Sequence, residues 1–183
     1  MKKSKIKKRI EKAIFPHKLC RVYFKYDIYY RYYYPLEVGE DLFLCAEEDD
    51  FILNGYTIRK FKDVTKVEWK KDKCSEINEK EGILDDLTCP EINMFNWKSV
   101  FISLQKMGKN IIVEKEDLDE KECHFAIGRI IKVKNKKVRF REFDADGIWQ
   151  DDLLDIPFSQ ITSVTFNSRY VEVFSKYLSE PDK

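Results

Sequence analysis

The chain has 183 residues, and its 34 Lys and Arg nearly balance its 33 Asp and Glu. This balance argues against a uniformly basic coat for nucleic acid and against a uniformly acidic tail. With 43% hydrophobic residues the chain is too apolar for disorder, and no apolar run approaches the roughly 18 residues of a membrane span. We therefore expect a globular, cytoplasmic protein.

The charge is unevenly distributed along the chain. Residues 1–25 hold ten Lys or Arg and a single acidic residue, so this segment carries a formal charge of +9 and the remainder carries −8. The composition therefore excludes a generally basic surface, but it leaves room for one localised basic contact.

The first predicted element is a basic amphipathic helix that ends before Pro16. Ile6, Ile10 and Ala13 recur at spacings of three and four, which places them on one helix face. The candidate nucleic-acid-binding residues around that face are Lys5, Lys7, Lys8, Arg9 and Lys12. They would either dock on phosphate, anionic lipid or an acidic partner, or meet the acidic body of the same molecule while the apolar face packs.

Strands follow the helix in the first half of the chain. Alternating and β-rich segments predict strands over residues 21–27, 29–38 and 42–47, with further apolar positions between residues 58 and 69. The second of these strands contains the candidate partner-binding residues, which we name the aromatic strand face: Tyr29, Tyr30, Arg31, Tyr32, Tyr33 and Tyr34. Because side chains alternate along a strand, some of these rings should lie outside the core unless another part of the protein covers them.

The second half repeats this plan after a charged linker. A helix is predicted over residues 97–107, with Asn96 as N-cap and Gly108 as its stop, and strands follow over residues 111–113, 124–133 and 137–143. Two further strands separated by a turn near Ser159, and a C-terminal helix, complete the series.

A fixed offset supports the interpretation as a repeat. Subtracting 97 from five apolar positions of the second half gives five apolar positions of the first half. The pairs are Phe140 and Phe43, Phe158 and Phe61, Ile161 and Val64, Val164 and Val67, and Phe166 and Trp69. We therefore predict a mostly β (α+β) chain with two tandem five-stranded barrels, over residues 1–70 and 95–183, joined by a linker over residues 71–94.

The repeated unit resembles a known family. A helix followed by five strands, with Gly128-Arg-Ile-Ile-Lys-Val133 in the second strand and Phe158-Ser-Gln-Ile-Thr-Ser-Val164 leading into the last, is similar to the Sm-like fold, including the bacterial Hfq type, among SH3-like barrels. The resemblance implies two tandem copies of that fold and RNA binding. The family holds uridine with an Asp and an Asn after the second strand, whereas this chain has Lys134-Asn135-Lys136 and Gly39-Glu40-Asp41 there.

No catalytic, cofactor or metal motif is evident. The five cysteines form no C-x-x-C pair, only two histidines are present, and the six glycines are isolated. The leading hypothesis is a non-catalytic module that binds a protein partner, or a second copy, through the aromatic strand face. The alternative is RNA or single-stranded nucleic-acid binding through the tyrosines and the basic helix.

Overall fold

The computed structural model describes residues 2–69, 71–118 and 124–179. The fold is α+β and mostly strands, as the sequence predicts, and the ten strands of the described residues form one antiparallel sheet. In chain order the elements are α1 (Lys3–Ile14), β1 (Cys20–Phe24), β2 (Tyr30–Val38), β3 (Leu42–Asp49), β4 (Ile52–Lys60), a 3₁₀ helix (Phe61–Asp63), β5 (Val64–Trp69), α2 (Lys73–Lys80), α3 (Trp97–Met107), β6 (Ile111–Lys115), β7 (His124–Val133), β8 (Lys137–Glu142), β9 (Leu154–Pro157), β10 (Ser163–Phe166) and α4 (Arg169–Ser175). No helix among these residues is long and apolar enough to cross a membrane.

The sheet is continuous and open. Its order is β5-β1-β2-β3-β4-β10-β6-β7-β8-β9, so each half contributes five neighbouring strands and β4 pairs with β10 between the halves. Two closed barrels are not observed: β5 pairs only with β1, and β9 pairs only with β8 within the described residues. The prediction of two separate barrels is therefore wrong, and the strands form one sheet. The reason is that β4 hydrogen-bonds to β10 of the other half, whereas in a separate barrel it would pair only with strands of its own half.

The two halves share their pairing pattern. Cys20 of β1 faces Trp69 of β5, and in the same way Ile111 of β6 faces Phe166 of β10. Strands β2 and β7 each contain one register irregularity, located two residues before the last residue of the strand. The second strand of each half therefore bends at the same place, as expected for a β-bulge.

The two predicted helices that precede strands are confirmed. In α1, Ile6, Ile10 and Ala13 are buried, in agreement with the periodicity. In α3, the side chain of Asn96 accepts a hydrogen bond from the backbone N–H of Ser99, and Gly108 adopts a left-handed φ of 67° at the C-cap. Both ends of α3 are thus fixed by local sequence.

The segment over residues 71–94 is packed against the fold. It contains α2, which the sequence analysis did not predict, and this helix begins with a capping box formed by Asp72 and Ser75. Ile83, Leu84 and Leu87 pack against the main hydrophobic core. That core combines residues of both halves, whereas a smaller core under α1 belongs to the first half alone.

The junction between β4 and β10 contains a buried ion pair. Arg59 of β4 is 1% exposed, and its Nη2 lies 3.1 Å from a carboxylate oxygen of Glu116, which follows β6. The guanidinium carbon lies 3.8 Å from the ring centroid of Phe24. An arginine this deeply buried needs its counter-ion, since an isolated buried charge is strongly unfavourable.

Replacing Glu116 by Ala should therefore lower the free energy of unfolding by about 3 kcal/mol, because it leaves the Arg59 charge buried without a partner. Urea denaturation followed by tryptophan fluorescence measures this effect. The matched control is Glu76→Ala, which removes an exposed carboxylate paired with Lys73 and should change stability by about 0.5 kcal/mol or less. Equal losses in the two variants would contradict the assignment.

Candidate functional site

The aromatic strand face divides between surface and core. Tyr29 is 78% exposed in the turn before β2, and Tyr30 and Tyr32 are half-buried. Tyr33 and Tyr34 are buried on opposite faces of β2, Tyr33 in the core under α1 and Tyr34 in the main core. The latter two rings are therefore unavailable to a partner, and only the first part of the run reaches the surface.

Burial also explains the chemistry of the two inner tyrosines. The hydroxyl of Tyr34 accepts a hydrogen bond from Nδ2 of Asn78, a fully buried residue of α2. Burial raises the pKa of Tyr34 to about 12, and it raises the pKa of Tyr33 well above its ordinary value. Both groups remain neutral, and their role is packing and hydrogen bonding inside the fold.

The half-buried rings of Tyr30 and Tyr32 already have a cation of their own. The guanidinium carbon of Arg21 lies 4.6 Å from the ring centroid of Tyr30, and Nη2 of Arg21 donates to the Tyr32 hydroxyl at 2.7 Å. The same nitrogen lies 2.6 Å from the Asp72 carboxylate. Next to them, the Tyr23 hydroxyl donates to Glu68. Nearby carboxylates make this surface unfavourable for phosphate.

A groove beside the turn is also acidic. It has a volume of about 540 Å³, and Ile28 at its rim is 87% exposed. The carboxylates of Asp27 and Glu47 are met by Arg31, at 3.3 and 3.6 Å. The exposed apolar tip and its acidic surroundings fit a protein surface better than a polyanion.

The basic residues of α1 separate into two groups. Nζ of Lys7 donates to the carbonyl of Gly39 at 2.7 Å, and the guanidinium of Arg9 lies 5.0 Å from the Trp69 ring centroid. These two side chains hold the helix on the sheet. Lys5, Lys8 and Lys12 are exposed, and their ammonium groups have no bonding partner within the part of the chain that the structure describes.

The helix dipole does not account for Lys5. The first turn of α1 contains no acidic residue, and Lys3 and Lys5 stand at the positive end of the helix dipole. Since a lysine there opposes the dipole, local helix stability does not account for Lys5, whereas Lys12 lies in the last turn, where a cation is favourable.

A cleft lies where the two halves meet, and we name it the junction cleft. It has a volume of about 510 Å³. Its lining comes from the start of α1, the β2–β3 turn, the end of β4, the start of α3 and the turns that precede β8 and β10. The lining residues are Lys3, Asp41, Leu42, Lys60, Lys62, Phe95, Asn96, Trp97, Lys98, Asn135, Phe158 and Ser159.

Aromatic rings form the apolar part of the junction cleft. Phe158 stacks on Phe101 of α3 with centroids 5.5 Å apart, and Trp97 lies 6.1 Å from the same ring. Phe95 contributes a ring that is 70% exposed. The buried indole Nε1 of Trp97 has no acceptor among the described residues. The cleft therefore contains two rings that pack into the fold, Trp97 and Phe158, and one ring that faces solvent, Phe95.

The polar part of the junction cleft is strongly basic. Four lysines contribute to its lining and only one carboxylate, that of Asp41, which forms an ion pair with Lys3. Nζ of Lys98 donates to Oδ1 of Asn135, in the turn between β7 and β8, at 2.8 Å. The excess of cations over carboxylates favours an anionic ligand.

Lys60 is the most deeply buried of these lysines. It is 7% exposed, and its Nζ donates to the Ser159 carbonyl at 3.3 Å. No carboxylate of the described residues lies within ion-pair distance. Burial, reinforced by the nearby charge of Lys62, lowers the pKa of Lys60 to about 8.

Sequence reasoning missed the junction cleft. The sequence analysis places Trp97 at the start of a helix and Phe158 among the offset apolar positions, and Lys60, Lys62 and Lys98 are isolated lysines without a motif. Only the pairing of β4 with β10 brings residues near 60, 97 and 158 together. No local signal in the sequence reports that pairing.

Comparison with protein-family models, with curated proteins and with solved structures found no significant match. Among the described residues, no group of three or more His, Cys, Asp or Glu side chains is arranged to hold a metal ion. The argument for function therefore depends on the chemistry of this chain's own surfaces.

Tyrosine modification should distinguish the outer from the inner rings. Iodination or nitration of the native protein, followed by peptide mass analysis, should modify Tyr29 readily and leave Tyr33 and Tyr34 unmodified, because the latter are 1% and 2% exposed. Exposed Tyr177 serves as the positive control, at 83% exposure. Modification of Tyr33 at the rate of Tyr177 would contradict the burial.

Replacing Lys60 by Met should stabilise the protein at pH 7 by about 1 to 3 kcal/mol, since one pKa unit corresponds to about 1.4 kcal/mol. The pKa of Lys60 is lowered on folding, so the penalty for charging it is fully present below pH 8 and fades as the pH approaches the unfolded value of 10.5. Chemical denaturation at pH 7 and pH 10 measures the difference. Lys12→Met, at an exposed site, is the control, and a pH-independent gain for Lys60→Met would contradict the cause given.

Proposed function

We propose that the chain is a non-catalytic module that binds single-stranded nucleic acid, and that it consists of two joined copies of one Sm-like unit. The observation that carries this proposal is the junction cleft, where four lysines with a single carboxylate surround aromatic side chains. Single-strand binders combine the same two features, because cations attract the backbone and rings stack on unpaired bases.

The shared pairing of the two halves supports the two-copy interpretation. Four of the five offset pairs from the sequence fall at matching places: Phe61 and Phe158 lie before the last strand of each half, and the other three lie in or just before that strand. The fifth pair differs. Phe43 faces the last residue of β2, and the residue in that place in the second half is Val138, with Phe140 two positions further on.

The basic surface extends beyond the cleft. α1 starts with Lys3 in the cleft lining and presents Lys5, Lys8 and Lys12 to solvent. On the other side, Asn135 connects the cleft to the turn before β8, where Lys136 is exposed. A strand seated in the cleft would thus have further cations available for its neighbouring phosphates.

The structure shifts the expected aromatic contact. In the alternative derived from the sequence, the tyrosines of β2 stack on bases, but those rings lie among Glu68, Asp72 and Glu47 and are bonded to the protein's own arginines. Phe95, beside the lysines, is better placed for a base. The basic helix keeps its proposed role through the three exposed lysines.

A protein partner at the aromatic strand face is the second candidate function. The observation that favours it is the exposed pair Ile28 and Tyr29, at 87% and 78%, beside the acidic groove. Aromatic and apolar side chains of this kind are enriched in interfaces. This surface is separate from the lining of the junction cleft, so variants can test the two candidates independently.

The test is a fluorescence-anisotropy titration with labelled 12-nucleotide oligouridylate and oligothymidylate, at 50 and 200 mM salt. We expect salt-sensitive binding that the double variant Lys62→Gln/Lys98→Gln weakens at least about tenfold at 50 mM salt, with a salt slope smaller by about 1.4 for two lost phosphate contacts. The matched control is Lys66→Gln/Lys73→Gln, which removes two lysines paired with Glu68 and Glu76 outside the cleft.

The aromatic contribution is tested by Phe95→Ala, which should weaken binding by about 1 to 3 kcal/mol, the usual value for one stacked base. Phe15→Ala is the matched control, because Phe15 is 79% exposed and lies outside the cleft. A duplex of the same length should bind less tightly, since its bases cannot reach the ring. Absence of binding at 50 mM salt, or equal effects of the cleft and control variants, would overturn the proposal.

A further inference from the structure

Lys60 combines three properties that rarely occur together in a lysine of a folded protein. Its side chain is buried, it belongs to the lining of a cleft of about 510 Å³, and no described carboxylate forms an ion pair with it. Buried lysines are normally paired. A buried and unpaired amine at an accessible cleft is the usual setting of lysines that react as nucleophiles.

The groups around Lys60 maintain that state. The Ser159 carbonyl accepts from its Nζ at 3.3 Å, and the Trp97 ring centroid lies 5.9 Å away. The charges of Lys62, in the 3₁₀ helix, and of Lys25, which follows β1, disfavour the protonated form of Lys60. Asp63 favours it, but its carboxylate is already bound to Lys25 at 2.9 Å.

We propose that Lys60 is a nucleophilic amine and that the junction cleft captures a phosphorylated aromatic aldehyde as an imine. The three parts of the ligand follow from the three parts of the cleft. The amine selects a carbonyl carbon, the aromatic side chains select a flat ring, and Lys62 and Lys98 supply cations for a phosphate. This inference goes beyond nucleic-acid binding and does not rest on it.

The reaction needs no oxidant or metal. The lone pair of the neutral Lys60 nitrogen attacks the aldehyde carbon and forms a C–N bond, while the carbonyl electrons move to oxygen and give a carbinolamine after proton transfer from nitrogen. Loss of that oxygen as water leaves the C=N bond of the imine. Addition of water reverses the sequence, so the capture is reversible.

Neutral amine is the reactive form, and this sets the expected selectivity. With a pKa of about 8, roughly a tenth of the Lys60 side chains are neutral at pH 7, whereas an ordinary lysine with a pKa of about 10.4 is neutral in fewer than about one molecule in a thousand. Lower basicity also reduces intrinsic nucleophilicity, which offsets part of this advantage. We therefore expect a net preference of about tenfold.

The experiment uses pyridoxal 5′-phosphate as the probe on the full chain. The protein is incubated with the probe at pH 7.2, the imine is reduced with borohydride, and modified peptides are quantified by mass spectrometry over time. Lys5, Lys8 and Lys12 of the same molecules provide the internal reference, because they are exposed and unpaired within the described structure. Lys60 should be modified about tenfold faster than these three lysines.

Three further measurements make the result specific to the cleft. Inorganic phosphate should slow the modification of Lys60 more than that of Lys5, and Lys62→Gln/Lys98→Gln should do the same by removing cations for the phosphate. Lys60→Arg keeps a cation but cannot form the imine. Its imine absorbance should therefore be lower than that of the wild type by the amount that corresponds to one imine per protein molecule. The rate at Lys60 should level off above pH 8, near its pKa of about 8.

Modification of Lys60 no faster than Lys5, Lys8 and Lys12, or equal protection of all four by phosphate, would overturn the inference. These outcomes leave the oligonucleotide titration unaffected, and failure of that titration leaves the modification result unaffected. The comparison within one wild-type sample also remains decisive if Lys60→Arg fails to fold.

Discussion

The pairing of β4 with β10 is the constraint on which the rest of the structure depends. Four backbone positions of each strand face one another, from Tyr56 with Phe166 to Arg59 with Ser163. This contact joins two five-stranded halves into one sheet and encloses a core made from both. It also explains why Arg59 is buried, since the strand that carries it lies inside the sheet, and why Glu116 of the other half is needed beside it.

The same contact creates the candidate site. Joining the halves places the end of β4 and the following 3₁₀ helix beside the start of α3 and the turn that precedes β10. Neither half alone would surround the cleft, because Lys60 and Lys62 come from the first and Trp97, Lys98 and Phe158 from the second. The site is thus a property of the junction, and disruption of the junction would remove it along with the shared core.

Unpaired positive side chains are concentrated on one part of the surface, although the net charge of the whole chain is only +1. The acidic and aromatic surface near Tyr29 is satisfied by Arg21 and Arg31, so it presents few unpaired charges. The surface with α1 and the junction cleft keeps unpaired lysines, at a cost that is greatest for buried Lys60. The positive charge of this surface is therefore not balanced by carboxylates of the described residues.

The sequence by itself determined the α+β class, the element order in both halves and the basic character of α1. It did so because periodicity, caps and turn residues act over a few neighbouring positions, as Asn96 and Gly108 show for α3. The tertiary structure decided that the strands form one open sheet, that Tyr33 and Tyr34 are buried, and that Lys60 meets Trp97. Tyr33 and Tyr34 are buried because α1 and α2 cover the two faces of β2. The single sheet and the contact of Lys60 with Trp97 depend on pairing between residues about a hundred positions apart, for which hydrophobic pattern gives strand identity but no partner.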